Sequence, residues 1–201
     1  LKNVFMYHEI WYILRGNTHI NIGTNVKREA LQQLTKWSKN PNRKPLILQG
    51  ARQVGKTYTV KEFAKEAYEN LVYLNFETNP ELSSLFAANL APDELIRKIE
   101  IALNTKIKPK TSLLFFDEIQ TCGKALTSLK YFRESAPQYH IIAAGSLLGI
   151  ALAAQTSFPV GQVDFLFMHP LNFREYLRAK GLDALADYLV SLTLDVQILK
   201  E

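Results

Sequence analysis

The residues best placed by type and spacing to do chemistry are Gly50, Ala51, Arg52, Gln53, Val54, Gly55, Lys56 and Thr57, which fit G-x-x-x-x-G-K-[ST] throughout. Two glycines let a backbone turn tightly and approach a ligand without a Cβ in the way. The amides of such a loop point inward at the positive end of the following helix, a setting that holds an anion. Lys56 is then placed to reach the β- and γ-phosphates of a nucleotide, and the Thr57 hydroxyl to ligate magnesium. With Tyr58 beside them, these residues are the expected nucleotide contacts. A glycine turn that matches by coincidence is the bland alternative, at about one chain in a hundred for average glycine usage. Context argues against it, because the loop follows an apolar run and opens an amphipathic segment.

A second group lies downstream, where the apolar run Phe115-Phe116 ends in Asp117-Glu118. If that run is a strand parallel to the first, Asp117 reaches the same carboxyl edge, where ligands of open α/β sheets collect. Asp117 is then expected to hold the metal, usually through its waters. Glu118 is expected to polarise a water for attack on the γ-phosphorus, as a general base. The alternative is a helix N-cap followed by a first-turn acid, both favoured by the helix dipole. Guanine specificity is not expected, since Asn104-Thr105-Lys106-Ile107 lacks the adjacent lysine and the acid of a guanine reader. A small-molecule kinase would not need the second acid.

These groups need a scaffold, and the rest of the chain reads as one. Its 201 residues are 47% hydrophobic and 21% charged, ordinary for one globular domain. Short apolar runs at 45–49, 71–76, 112–116, 139–144 and 163–168 read as strands. Between them, 26–37, 57–68, 80–88, 92–103 and 124–135 read as helical, with a further helix opening at 172–180. Continuous apolar strands alternating with helices predict an α/β fold whose parallel sheet is covered on both faces. Residues 1–24 read as an aromatic lead-in, and the first residue, Leu1, leads us to expect an upstream segment.

The formal net charge is +5 and uneven, with 12 basic and 5 acidic residues in 1–70. A basic front half is compatible with nucleic acid, but no reader motif accompanies it, and a solvated surface plus lysines serving a phosphate site is the simpler reading. The longest apolar stretch, 141–154, is too short to cross a bilayer. The N-terminal stretch contains His8 and Glu9 and does not read as a signal peptide. A single cysteine, Cys122, excludes an internal disulfide and suits a cytoplasmic setting. No metal-ligand cluster surrounds it in the sequence.

Five motifs in order carry a resemblance: Leu46 to Thr57, Asp117-Glu-Ile-Gln120, Ala144-Gly-Ser-Leu-Leu-Gly149, Ser157-Phe-Pro-Val-Gly161 and Pro170-Leu-Asn-Phe-Arg-Glu-Tyr-Leu177. Together they resemble prokaryotic AAA+-type P-loop ATPases that usually carry a C-terminal domain of unknown function. The resemblance implies a three-layer P-loop NTPase fold with a five-stranded parallel sheet in the order 5-1-4-3-2. It implies ATP and Mg2+ as cofactors and ATP hydrolysis that drives or switches an attached domain. A polar sensor is implied at Ser146, a residue that could equally cap a helix over 147–154. The implied division is a lead-in at 1–24, an ATPase core at 25–181 and the start of a truncated C-terminal region at 182–201. Gln162 departs from the family, which generally has Lys or Arg there. Arg52, Arg133 and Arg174 remain as phosphate-facing arginines, although each also reads as a surface or ion-pair residue. A homo-oligomer stays open as a partner. The alternative function is a nucleotide-binding module with negligible turnover that acts through a partner or nucleic acid.

Overall fold

The apolar runs fold as strands of one parallel sheet. The computed structural model describes residues 28–146 and 161–198. The lead-in at 1–24, the helix expected over 147–154 and the stretch 157–160 lie outside those residues. Residues 28–171 form one unit. In chain order its elements are α1 (Glu29–Lys39), β1 (Leu46–Gln49), α2 (Lys56–Ala67), β2 (Asn70–Asn75) and a 3-10 helix (Pro80–Phe86). There follow α3 (Pro92–Leu103), β3 (Ser112–Asp117), a 3-10 turn (Ile119–Thr121), α4 (Gly123–Ser135), β4 (His140–Gly145) and β5 (Asp164–Phe167).

The strands lie in the order β2-β3-β4-β1-β5, which from the opposite edge is 5-1-4-3-2, and every pairing is parallel. Register places the functional ends together. Gln49 at the end of β1 pairs with Gly145 of β4, and Asn75 at the end of β2 pairs with Asp117 of β3. The carboxyl ends of these strands therefore share one rim.

Alternate side chains of each strand point to opposite faces, and each face has its own core. On one, Ile47, Leu114, Phe116 and Ile141 belong to a cluster with Leu95 and Ile99 of α3 and Leu129 and Phe132 of α4. On the other, Leu48, Leu113, Phe115 and Ile142 cluster with Leu34 of α1 and Val60 and Phe63 of α2. The sheet is thus apolar on both sides, which explains the unbroken apolar runs in the sequence.

The helix expected over 80–88 is instead 3-10. Only Leu82 and Phe86 of it are buried, and Ser84 Oγ bonds back to Glu81 O at 2.7 Å. Serine competition with the backbone and a short buried stripe explain why an α-helix does not form.

The described residues from Asn172 onward belong to a second unit. There α5 (Phe173–Ala179) opens with a capping box: Asn172 accepts from the Glu175 amide, and the Glu175 carboxylate accepts from the Asn172 amide. The last helix, α6, spans Asp183–Ile198.

Candidate functional site

The loop between β1 and α2 is shaped by two residues in the left-handed region, Gln53 at φ 63° and Gly55 at φ 91°. Gly55 is the N-cap of α2, and no side chain caps that helix. Its first-turn amides and the dipole behind them face an open cavity. Left-handed backbone at Gln53, a non-glycine residue, is the kind of local strain that collects at ligand sites. Gly50 is required for a different reason from the one the motif suggests. A Cβ built there would lie 2.2 Å from the Met168 carbonyl oxygen, and the Met168 amide donates to Gln49 O at 2.7 Å. The glycine lets the end of β5 close on the start of the loop.

Lys56 is buried, and its ammonium donates to Gly50 O at 2.9 Å and Ala51 O at 2.8 Å. Burial pulls its pKa below the ordinary lysine value, the Glu118 and Asp117 carboxylates oppose that, and Arg52 adds to it. The cation therefore sits within the field of both acids. Arg28, also buried, donates from Nη1 to Val54 O at 2.5 Å and from Nη2 to His169 O at 2.6 Å. It ties the far side of the loop to the chain that follows β5.

Asp117 is 1% exposed at the end of β3. Its Oδ2 accepts from Thr57 Oγ1 at 2.8 Å and from the Tyr73 hydroxyl at 2.9 Å, and its Oδ1 accepts from the Glu118 amide at 3.1 Å. Asn75 Nδ2 donates to the Tyr73 oxygen at 3.0 Å. Burial pushes the Tyr73 phenol up to about 12. It stays neutral and keeps its hydrogen for the carboxylate.

Glu118 takes a left-handed backbone conformation, φ 52° and ψ 45°, and its side chain does not cap the turn that it opens. Glu118 is thus the N-cap position of a three-residue 3-10 turn, where the alternative reading had it as a first-turn acid. Its Oε2 accepts from Gln120 Nε2 at 2.5 Å, and the same amide nitrogen lies 3.5 Å from Ser146 Oγ just past β4. A cavity of about 450 Å³ is lined by Arg52, Gln53, Gly55, Lys56, Thr57, Tyr58, Glu77 and Glu118. Most of the expected phosphate-loop residues and the expected base thus share one space. Ser146 is not among its lining residues; its hydroxyl lies beside the Gln120 amide that holds Glu118.

The three arginines separate. Arg52 lines the cavity and faces Glu77 at 3.8 Å, both side chains well exposed. Arg133 donates to Arg43 O at 3.4 Å, in the loop leading into β1, so it lies at the opposite rim and not beside the phosphate loop. Arg174 belongs to the second unit. Gln162 falls in the turn before β5, and Cys122 is buried with a free thiol. Arg28, Tyr73, Asn75 and Gln120 carried no role in the motif reading. Gln120 stood inside a quoted motif; Arg28 and Tyr73 are 26 and 44 residues from the groups they hold, and Asn75, although only two residues from Tyr73, matters only because Tyr73 meets Asp117.

A family model described as an AAA domain matches residues 42–177. The chain belongs to that family. The match spans the loop, Asp117, Glu118 and Ser146, while Arg28 lies ahead of it. Membership brings with it the P-loop ATPase-like class and supports nucleotide binding by this AAA domain. The comparison with curated proteins found no match. Among the described residues of this AAA domain, no helix is long and apolar enough to cross a membrane.

Proposed function

We propose that this AAA domain binds ATP with magnesium and hydrolyses it, and that its nucleotide state drives or switches a C-terminal region beginning near residue 182. The observation that carries the reading is the 2.8 Å contact of Thr57 Oγ1 with Asp117 Oδ2, beside a cavity lined by both Lys56 and Glu118. The donors suit magnesium. A hydroxyl and a carboxylate are hard oxygen ligands, and among the described residues no group of three or more His, Cys, Asp or Glu could hold a metal by itself. A cation here needs phosphate oxygens and water to complete its shell, as magnesium in nucleotide sites does. Bound magnesium would neutralise charge developing on the β- and γ-oxygens.

In this reading Gly50, Ala51, Arg52, Gln53, Val54, Gly55 and Tyr58 surround the phosphates and the start of the nucleotide. Lys56 exchanges its two carbonyl partners for phosphate oxygen. Thr57 and Asp117 hold the cation, Glu118 takes the proton of the attacking water, and Ser146 reports on the γ-phosphate through Gln120. The test is Glu118→Gln, which keeps size and one acceptor oxygen but not the base. ATP affinity should persist while single-turnover hydrolysis falls more than about a hundredfold. Full hydrolysis by Glu118→Gln would remove the catalytic assignment.

One observation favours a second reading, a binding module with negligible turnover. Arg52 is the one arginine among the described residues that lines the cavity, it already faces Glu77, and position 162 is Gln. A positioned arginine contributes about a thousandfold or more to phosphoryl transfer. Phosphate release by the dilute chain separates the two: slow but measurable turnover fits the ATPase, and none fits the module.

A further inference from the structure

The carboxylate of Asp117 has more protein donors than a metal-binding acid needs. A carboxylate offers about four lone-pair sites, two on each oxygen. On Oδ2 both are taken, by Thr57 at 2.8 Å and Tyr73 at 2.9 Å. On Oδ1 the Glu118 amide occupies one. A single site remains, on Oδ1, for a water of the cation's shell. Tyr73 reaches Asp117 because β2 and β3 run parallel in register, with Tyr73 opposite Phe115 and Asn75 opposite Asp117. Its ring lies 5.3 Å from that of Phe115 and 4.0 Å beneath Lys61 Nζ, one turn along α2 from Thr57. Asn75 holds the phenol oxygen from behind. The hydroxyl therefore has one direction in which to send its hydrogen.

We propose that Tyr73 is a positioning residue that sets the affinity of this site for its divalent cation, by filling Oδ2 of Asp117 and leaving Oδ1 to meet the metal through water. The inference rests on the ATPase reading above. Without the phenol, Oδ2 gains a free lone pair and the carboxylate can turn, so the remaining acceptor no longer faces the cation. Hydrogen-bond partners one shell out from a metal ligand typically change metal affinity by about 10- to 100-fold.

The experiment is a magnesium titration of the full chain at a fixed concentration of a fluorescent ADP analogue, for wild type, Tyr73→Phe and Asp117→Asn. Tyr73→Phe should bind the analogue in EDTA as wild type does, while its half-saturating magnesium concentration rises about 10- to 100-fold. A lower melting temperature with an unmoved magnesium midpoint would make Tyr73 a core hydrogen bond only and overturn the inference. If Tyr73→Phe does not fold, Asn75→Ser, which removes the amide behind the phenol, is read in the same way. Its midpoint should rise by a smaller factor, and an unmoved one overturns the inference. If the midpoint of Asp117→Asn equals that of wild type, or wild type shows no magnesium effect, the ATPase reading itself fails. A shift in Asp117→Asn without one in Tyr73→Phe sinks only the role of Tyr73.

Discussion

Thr57 and Asp117, 60 positions apart, are joined by a 2.8 Å hydrogen bond from Thr57 Oγ1 to Asp117 Oδ2. The bond exists because β1 and β3 both run parallel to β4, which lies between them, so a loop leaving β1 and an acid ending β3 meet at one rim. It also gives Thr57 a defined hydroxyl direction, with the hydrogen toward Asp117 and the lone pairs toward the cavity.

Lys56→Ala should abolish most of the stabilisation that magnesium-ATP confers. A ligand at a hundred times its Kd adds about 2.7 kcal/mol to folding. Lys56 supplies the buried ammonium beside the loop carbonyls of Gly50 and Ala51, and a charge-assisted phosphate contact is among the stronger hydrogen bonds. Thermal melts with and without millimolar magnesium-ATP check this. A full ATP-induced shift in the variant would contradict it.

Gln120→Ala should separate catalysis from binding. The amide holds Glu118 Oε2 at 2.5 Å and does not line the cavity. Releasing the carboxylate sacrifices part of a general-base effect of roughly a hundred- to ten-thousand-fold. We expect kcat to fall about tenfold with KM unchanged. A rise in KM with kcat intact would mean that Gln120 serves substrate binding instead.

Gly50→Ala and Gly161→Ala should differ in kind. At Gly50 the new Cβ meets backbone, the Met168 carbonyl at 2.2 Å, so either the loop or the end of β5 must move. Overpacking of this sort costs about 1–3 kcal/mol, and nucleotide affinity should fall with it. At Gly161 a new Cβ would meet nothing within 4 Å beyond its chain neighbours, but φ is +73°, so the penalty is backbone strain of about 1–2 kcal/mol. Nucleotide affinity should then be unchanged. Urea melts and ATP titrations on both variants decide.

His140 should make the fold acid-sensitive. Burial, and after it the charges of Arg43 and Lys110, lower its pKa from 6.5 to about 4, and its Nδ1 lies 2.6 Å from the Tyr68 hydroxyl. Between about pH 4 and 6.5 the unfolded chain holds the proton and the folded chain does not. Stability from this group is therefore complete above 6.5 and is lost as pH falls toward 4, by about 3 kcal/mol. Urea midpoints of wild type and His140→Gln across that range test it. The variant should lack this part of the slope, and parallel curves would contradict the assignment.

The sequence by itself determined the five strands, most of the helices and the two motifs, because these are local; it did not show that Pro80–Phe86 winds as 3-10 or that Asp183–Ile198 is a helix. Gly50 to Thr57 carries its chemistry in a fixed spacing, and runs such as Ser112 to Phe116 declare burial on both faces by being apolar throughout. It could not say what surrounds Asp117. That Tyr73 shares Oδ2 with Thr57, and that Arg28 grips Val54 O from 26 residues away, follow from strand register and chain crossing. Neither leaves a period in the sequence, because either partner alone is an ordinary strand tyrosine or helix-end arginine. Gly50 is the sharpest case. Its identity is visible in the motif, but the carbonyl that forbids a side chain there belongs to Met168, 118 residues later, and only the docking of β5 against β1 brings it to where it would lie 2.2 Å from a Cβ at position 50.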